Sequence, residues 1–317
     1  MVKMKRKNIN NIKIISTGHY TPPGTLSNFD LEKIVDTSDE WIYSRTGIKS
    51  RHIVYDEKTS DLAYHAARNA IGKANYDKSK IDIILVATCT GDYNSPSVAC
   101  KVQALLGLDR QDIACFDVNA ACSGFIYALC IASQMLNSNR YFSALVIGAE
   151  TLSLYTDYQD RSTCVLFGDG AGAVILENTE EHKAADFYLS AKGEMDLSIV
   201  INDKIWMDGR KIYQFAVKAI EQSINIIMHN NELIESDILA IIPHQANLRI
   251  IEKAAQVLNI DINKFYINIE KYGNTSAASI PIAFDEFMST LYNPNGKKVI
   301  FVAFGAGLTW GAAMLTL

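Results

Sequence analysis

The order of elements in the first half of this 317-residue chain recurs in the second half, and that recurrence narrows the choice of folds sharply. An apolar strand-like run, IDIILVAT (81–88), leads into SPSVACKVQALLGL, a helical pattern with Ser95 as cap and Pro96 in its first turn. ACFDVN then reads as a strand, CSGFIYALCIASQML as a nearly all-apolar helix, and SALVIGAE (143–150) as another strand. Later, DILAIIPH (237–244), NLRIIEKAAQVLNI, KFYINIE, TSAASIPIAFDEFM and KKVIFVAFG follow in the same order. The closing runs GAGAVILE (170–177) and TWGAAMLTL (309–317) match as well. Fourteen residues separate Leu108 from Cys122, and fourteen separate Ile260 from Asn274. On that spacing Cys122 and Asn274 occupy equivalent strand-to-helix junctions of a duplicated α/β half, because the period is too long for a solenoid. Such alternation predicts mostly parallel strands covered by helices on both faces.

The polar stretch ENTEEHKAAD (177–186) marks the boundary, giving an N-terminal half of residues 1–178 and a C-terminal half of residues 179–317. A net charge of −5 argues against an electrostatic grip on nucleic acid. The six cysteines lack close CxxC pairs, which speaks against a zinc ribbon, and a chain of this size has no need of a disulfide scaffold. A reducing, cytoplasmic setting is expected. Lys3, Lys5, Arg6 and Lys7 look like the charged end of a signal peptide, but the following IKIISTGHY is broken by polar residues and reads as a strand after a polar extension. Nothing approaches the roughly 20 apolar residues of a membrane-spanning helix, and no membrane partner is expected.

Three residues stand where chemistry could occur. Cys122, in VNAACSGF, lies at a helix start, where free N–H groups and the helix dipole favour a thiolate. Small neighbours would let a substrate reach the sulfur, and its own N–H could hold an oxyanion. A cysteine among small residues is equally compatible with inert packing. His244 closes the buried run ILAIIP at a strand's C-terminal end, where open α/β sheets place ligands. Asn274, in YGNTSAAS, is either a turn residue ahead of a capped helix or a neutral donor aimed at a carbonyl oxygen. The other cysteines read as structural. FGDGAGA (167–173) has neither phosphate-loop spacing nor a following helix, so it reads as tight backbone packing.

Taken together, AACSGF, PHQANLRI, GNTSAAS and AFGAGLTWG, with DTSDEWIYSRTGIKSRH (36–52) and FGDGAGA, resemble the β-ketoacyl-acyl-carrier-protein synthase III family of condensing enzymes. The resemblance runs from residue 36 to 311 and implies the α/β thiolase fold, five layers αβαβα built from two like halves. It implies a Cys122 nucleophile that accepts an acyl group from acyl-CoA, with His244 and Asn274 completing a triad for decarboxylative condensation with malonyl-acyl carrier protein. The oxyanion would sit on the N–H groups of Cys122 and Ala306. Coenzyme A would be met by Trp41 and Arg161, sandwiching its adenine, by Thr37 at the adenine edge and by Arg45 at the phosphates. Gly209, Tyr213 and Asn247 would line the pantetheine tunnel. Arg249, Lys253 and Lys211 would face the acidic carrier protein. A homodimer is implied, and no cofactor or metal.

Three departures from the family pattern set further expectations. Ser95 falls where some members carry an aromatic that narrows the acyl pocket, which predicts a longer or branched primer. The segment from Gly193 to Met207 is short, which would open the tunnel rim. Gln214, Gln256 and Val257 replace charges on the carrier-protein face. Two alternatives accompany the main reading: a specialised relative serving a secondary-metabolite acceptor, and a non-catalytic thiolase-fold acyl-CoA binder. The second has no use for all three of Cys122, His244 and Asn274.

Overall fold

A computed structural model describes residues 10–138, 140–180, 184–194 and 198–317. The basic cluster Lys3–Lys7 and part of the expected boundary, Glu181, His182 and Lys183, lie outside the described residues. The chain enters through strand β1 (Asn10–Tyr20), a short hairpin strand β2 (Thr25–Ser27) and helix α1 (Asn28–Leu31). In helix α2 (Asp39–Thr46), Ser38 accepts the Trp41 N–H as cap and Gly47 stops the helix at φ 77°. Then come β3 (Ser50–His52), α3 (Thr59–Lys73), β4 (Ile83–Ala87), α4 (Val98–Leu105), β5 (Ala114–Val118), α5 (Gly124–Leu136), β6 (Ser143–Thr151), α6 (Arg161–Cys164) and β7 (Asp169–Asn178). The cap of α4 is Ser97, not Ser95. Its side chain accepts the Cys100 N–H, and Pro96 stands before the cap, where its missing donor costs nothing.

The second half comprises β8 (Ala184–Ala191), the hairpin β9 (Ile199–Ile201) and β10 (Ile205–Met207), and helix α7 (Gly209–Asn230). After these lie β11 (Ile238–Pro243), α8 (Leu248–Leu258), α9 (Ile269–Tyr272), α10 (Ser279–Ser289), β12 (Lys298–Gly305) and β13 (Thr309–Thr316). Two sheets of like topology result, ordered β5-β4-β6-β7-β1 and β11-β12-β13-β8, joined where Asn10 and Asn11 pair with Ala185 and Ala184. In each, the early strands run parallel and the closing strands antiparallel. The run KFYINIE does not become the expected strand. Only Phe265 bridges to Ile241, because the Gln245 side chain takes the ladder groups beyond it: it donates to the Tyr266 carbonyl (3.1 Å) and accepts the Asn268 N–H (3.2 Å).

The layers follow from which faces are apolar. Leu62, Ala66 and Ala70 of α3 and Val98 and Val102 of α4 cover the outer face of the first sheet. Ile220, Ile224 and Ile227 of α7, with Ile251 and Ala254 of α8, cover the outer face of the second. Helices α5 and α10 lie between the sheets, where Phe125, Leu129, Ile280 and Phe284 share one core with Leu85 and Val146 of one sheet and Ile242 and Phe301 of the other. Packing on both sides is why α5 is apolar all round. The architecture is the five-layered αβαβα thiolase fold.

Each central helix is entered through a 3-10 turn, Ala121–Ser123 before α5 and Ser276–Ala278 before α10. Ala121 and Ser276 open these turns at φ 46° and 48°. Two residues earlier, Asn119 Oδ1 accepts the Ala121 N–H (3.3 Å) and Asn274 Oδ1 accepts the Ser276 N–H (2.9 Å). The position equivalent to Asn274 is therefore Asn119, and that equivalent to Cys122 is Ala277. Cys122 and Asn274 share a junction type but stand three residues out of register, since the preceding helices end at different points.

Candidate active site

Cys122 sits in the middle of its 3-10 turn, half-buried at the end of β5. The turn is tied to the β12–β13 hairpin: Thr309 Oγ1 lies 3.0 Å from the carbonyls of both Ala120 and Ala306 and accepts the Ser123 hydroxyl at 2.8 Å. Gly305, at the end of β12, presses against the turn from the other side. A Cβ there would stand 2.7 Å from the Cys122 nitrogen and 3.2 Å from Ala121 Cβ, so only glycine permits this approach. The expectation of a lowered thiol pKa is overturned. Burial pushes Cys122 up to about 12, and nearby Glu150 adds to the rise, outweighing the Ser276 hydroxyl and the cysteine's own N–H, which favour the thiolate. Burial thus favours the thiol form of Cys122.

His244 follows β11, buried, with its N–H bonded to the Val302 carbonyl (2.8 Å). Ser279 Oγ lies 2.7 Å from Nδ1 and accepts the Gln245 N–H at 3.4 Å, so its hydroxyl proton is placed to donate to Nδ1. That assigns the ring proton to Nε2. Burial lowers His244 to about 3, so the ring is neutral and acts as a donor. Asn274 is pinned by its backbone between Leu166 and Gly168, and its amide oxygen is engaged by Ser276, which leaves Nδ2 as a donor.

Cys122, His244, Asn274 and Ala306 converge on one cavity of about 380 Å³. Trp41, Arg45, Gly209, Tyr213 and Asn247 line the same cavity toward its mouth. Asn247 also caps α8 through Arg249 N–H and donates to the Arg45 carbonyl. Thr37 is not among the residues lining this cavity, and its Oγ1 is buried without a hydrogen-bond partner among the described residues. Arg161 and Trp41 do not stand apart to receive a ring. The guanidinium lies 4.7 Å from the indole centroid, and Arg161 donates to the Asp36 carbonyl. A sandwiched ring needs about 7 Å between its neighbours, so this pair must open by roughly 2 Å. Arg249 and Lys253 flank a separate shallow depression with Tyr213, Glu252 and Gln256, and Lys211 is exposed on the first turn of α7. Glycines 168, 170 and 172 of FGDGAGA pack against Tyr272, Ile282 and Pro281, so that motif is backbone packing.

Sequence reasoning missed two site features. Gly305 was visible only as part of a glycine-rich run. Cys89, read as structural, lies 3.9 Å from Ser276 Oγ and 3.2 Å from Glu150. No motif marks either contact.

Comparison with known proteins decides the family. Models of 3-oxoacyl-[acyl-carrier-protein] synthase III and of its C-terminal region match residues 116–193 and 228–317. The β-ketoacyl-[acyl-carrier-protein] synthase III of Acholeplasma laidlawii is 49% identical, over 96% of this chain and 98% of its own length. The chain belongs to the synthase III family. The Clostridium acetobutylicum synthase III is 47% identical, over 97% of this chain and 99% of its own. The crystal structure of the Aquifex aeolicus synthase III superposes with TM-score 0.92 at 45% identity, over 97% of this chain and 100% of that one. As a synthase III, the protein is an acyltransferase-class condensing enzyme of fatty-acid initiation. No helix of the described residues is long and apolar enough to cross a membrane.

Proposed function

We propose that this synthase III loads an acyl group from acyl-CoA onto Cys122 and condenses it with malonyl-acyl carrier protein. The observation that carries this reading is the meeting of Cys122, His244 and Asn274 in one cavity whose mouth is lined by Trp41 and Arg45. Cys122 Sγ attacks the thioester carbonyl while the N–H groups of Cys122 and Ala306 hold the oxyanion. Coenzyme A leaves, malonyl-acyl carrier protein enters, and loss of CO2 yields an enolate held by His244 Nε2–H and Asn274 Nδ2–H. The carbanion then attacks the Cys122 thioester. No cofactor is called for in these steps.

Thr37, Trp41, Arg45 and Arg161 bind the nucleotide end of coenzyme A, and Gly209, Tyr213 and Asn247 its pantetheine. Arg249, Lys253 and Lys211 meet the carrier protein. The reading includes a cytoplasmic homodimer. In support, among the described residues β5 pairs with β4 alone and leaves one edge open among half-buried residues, as a strand that meets a second copy would. The six cysteines are free, as suits a reducing compartment. With Ser95 in place of an aromatic, the primer is longer or branched. A panel of acyl-CoAs, read by intact mass at Cys122, tests this. Loading of branched or longer acyl groups at least as fast as acetyl is expected, and loading by acetyl-CoA alone contradicts it. Light scattering that gives a monomer's mass would contradict the dimer.

A further inference from the structure

Ser123 breaks a local rule. It stands at the N-cap of α5, where a serine hydroxyl ordinarily accepts a helix N–H, yet it makes no such bond. Its backbone is already helical (φ −84°, ψ −4°), because the 3-10 turn runs straight into the helix, and the side chain is left for another partner. A fully buried hydroxyl needs one. The duplicated half has no counterpart: four residues beyond Asn119 stands Ser123, but four beyond Asn274 stands Ala278. The partner is Thr309. Ser123 Oγ lies 2.8 Å from both the Ala120 carbonyl and Thr309 Oγ1, and Thr309 Oγ1 lies 3.0 Å from the carbonyls of Ala120 and Ala306. Each hydroxyl has one proton to give. Ala120 already accepts the Ser123 N–H (3.2 Å), whereas among the described residues the Ala306 carbonyl is offered the Thr309 hydroxyl alone. Every acceptor is served when Ser123 donates to Thr309 and Thr309 donates to Ala306, two bonds that strengthen one another.

These bonds join the two groups that the proposed function uses to hold the oxyanion. On one side, Cys122 lies inside the turn that the Ala120 carbonyl and the Ser123 N–H close. On the other, Gly305 pairs with Thr309 at the end of the β12–β13 hairpin, and Ala306 is the first residue of its loop. We infer that Ser123 and Thr309 are positioning residues that set the spacing between the Cys122 and Ala306 N–H groups. The inference rests on the oxyanion assignment under the proposed function. Two donors serve one oxygen only when both lie about 2.7–3.1 Å from it, and a misplacement of about 1 Å costs on the order of a hundred-fold in rate. The bare Gly305 lets the hairpin approach the turn, and the hydroxyl pair holds it there. Neither Ser123 nor Thr309 lines the cavity, so both act through Cys122 and Ala306. Decarboxylation relies instead on His244 and Asn274, to which neither hydroxyl bonds.

The test compares wild-type enzyme with Thr309→Val, Thr309→Ser and Ser123→Ala. Three quantities are measured on each: the single-turnover rate of Cys122 loading at saturating acyl-CoA, the Kd for free coenzyme A, and CO2 release from malonyl-acyl carrier protein by enzyme already acylated to the same level. Thr309→Val keeps the branched shape and removes the donor. Its loading should fall roughly ten- to a hundred-fold, with coenzyme A affinity and CO2 release within about two-fold of wild type. Thr309→Ser restores the hydroxyl and should recover most of the loss. Ser123→Ala suits the turn, because the other half already holds Ala278 there. It leaves Thr309 with two equidistant acceptors, so loading should fall about two- to five-fold. Wild-type loading in Thr309→Val would overturn the inference. So would a Thr309→Ser variant no faster than Thr309→Val. Equal losses in loading, coenzyme A affinity and CO2 release would also overturn it, since they mark a residue that only holds the fold together. Failure of the underlying reading looks different: the wild-type enzyme would carry no acyl group on Cys122, and the positioning roles would fall with it.

Discussion

Ser279 Oγ stands 2.7 Å from Nδ1 of His244, and this contact decides what the imidazole can do. With Nδ1 accepting from Ser279 and burial disfavouring the charged ring, Nε2–H serves as a donor of a residue that lines the cavity. Ser279→Ala frees the tautomer. Malonyl decarboxylation should fall about ten-fold, while loading of Cys122 changes little, because only the former needs a donor at the enolate oxygen. CO2 release and acyl loading, measured side by side, check this; equal losses in both would contradict it.

Gly305→Ala should disable the enzyme through geometry alone. The added Cβ, 2.7 Å from the Cys122 nitrogen, must push the Cys122 turn away from Ala306 and so separate the two proposed oxyanion donors. We expect a loss of at least a hundred-fold in loading and a destabilisation of about 1–3 kcal/mol, as for overpacking elsewhere. Single-turnover loading and chemical denaturation measure the two effects separately.

The proposed function has the Trp41–Arg161 pair open to take the adenine of coenzyme A. Trp41→Ala removes one face of the stack, so KM for acyl-CoA should rise about ten-fold with kcat nearly unchanged. A matching fall in kcat would place Trp41 in the chemistry instead.

Asp285 gives the fold its acid sensitivity. Burial raises its pKa, but hydrogen bonds from His19, Lys73 and Thr17 outweigh that and bring it to about 2. A folded pKa below the unfolded value of about 3.9 contributes stability that is present above that value and lost as pH falls toward 2. The contribution is on the order of 2 kcal/mol. Asp285→Asn should therefore be less stable than wild type at neutral pH, with the difference closing between about pH 4 and 2. Denaturation curves across that range test the sign.

What the residues revealed before folding was the chemistry of single positions and the rhythm of elements. Cys122 and His244 stood out because each lies just beyond an apolar strand, and Asn274 because its polar stretch leads into the helix α10. The duplication was legible too, but not its register, because counting from helix ends hid the pairing of Asn274 with Asn119 and of Cys122 with Ala277. Phe265 lost its strand to the Gln245 side chain, a contact no periodicity encodes. Burial reversed the expected effect on the Cys122 thiol. The helix-start argument counted nearby N–H groups, while desolvation depends on everything packed around the sulfur. Glu150 and Cys89 looked like ordinary strand-end residues until the fold brought both against Ser276 at the entry to α10.

The central claim is that acyl transfer and decarboxylation are divided among three residues in one cavity. Incubating wild-type and Asn274→Ala enzyme with a labelled acyl-CoA, then with malonyl-acyl carrier protein, measures both steps on one sample. Intact mass should show Cys122 acylated in both proteins, with CO2 released by the wild type and reduced at least ten-fold in Asn274→Ala. An acyl group on a residue other than Cys122, or undiminished CO2 release from Asn274→Ala, would contradict the account.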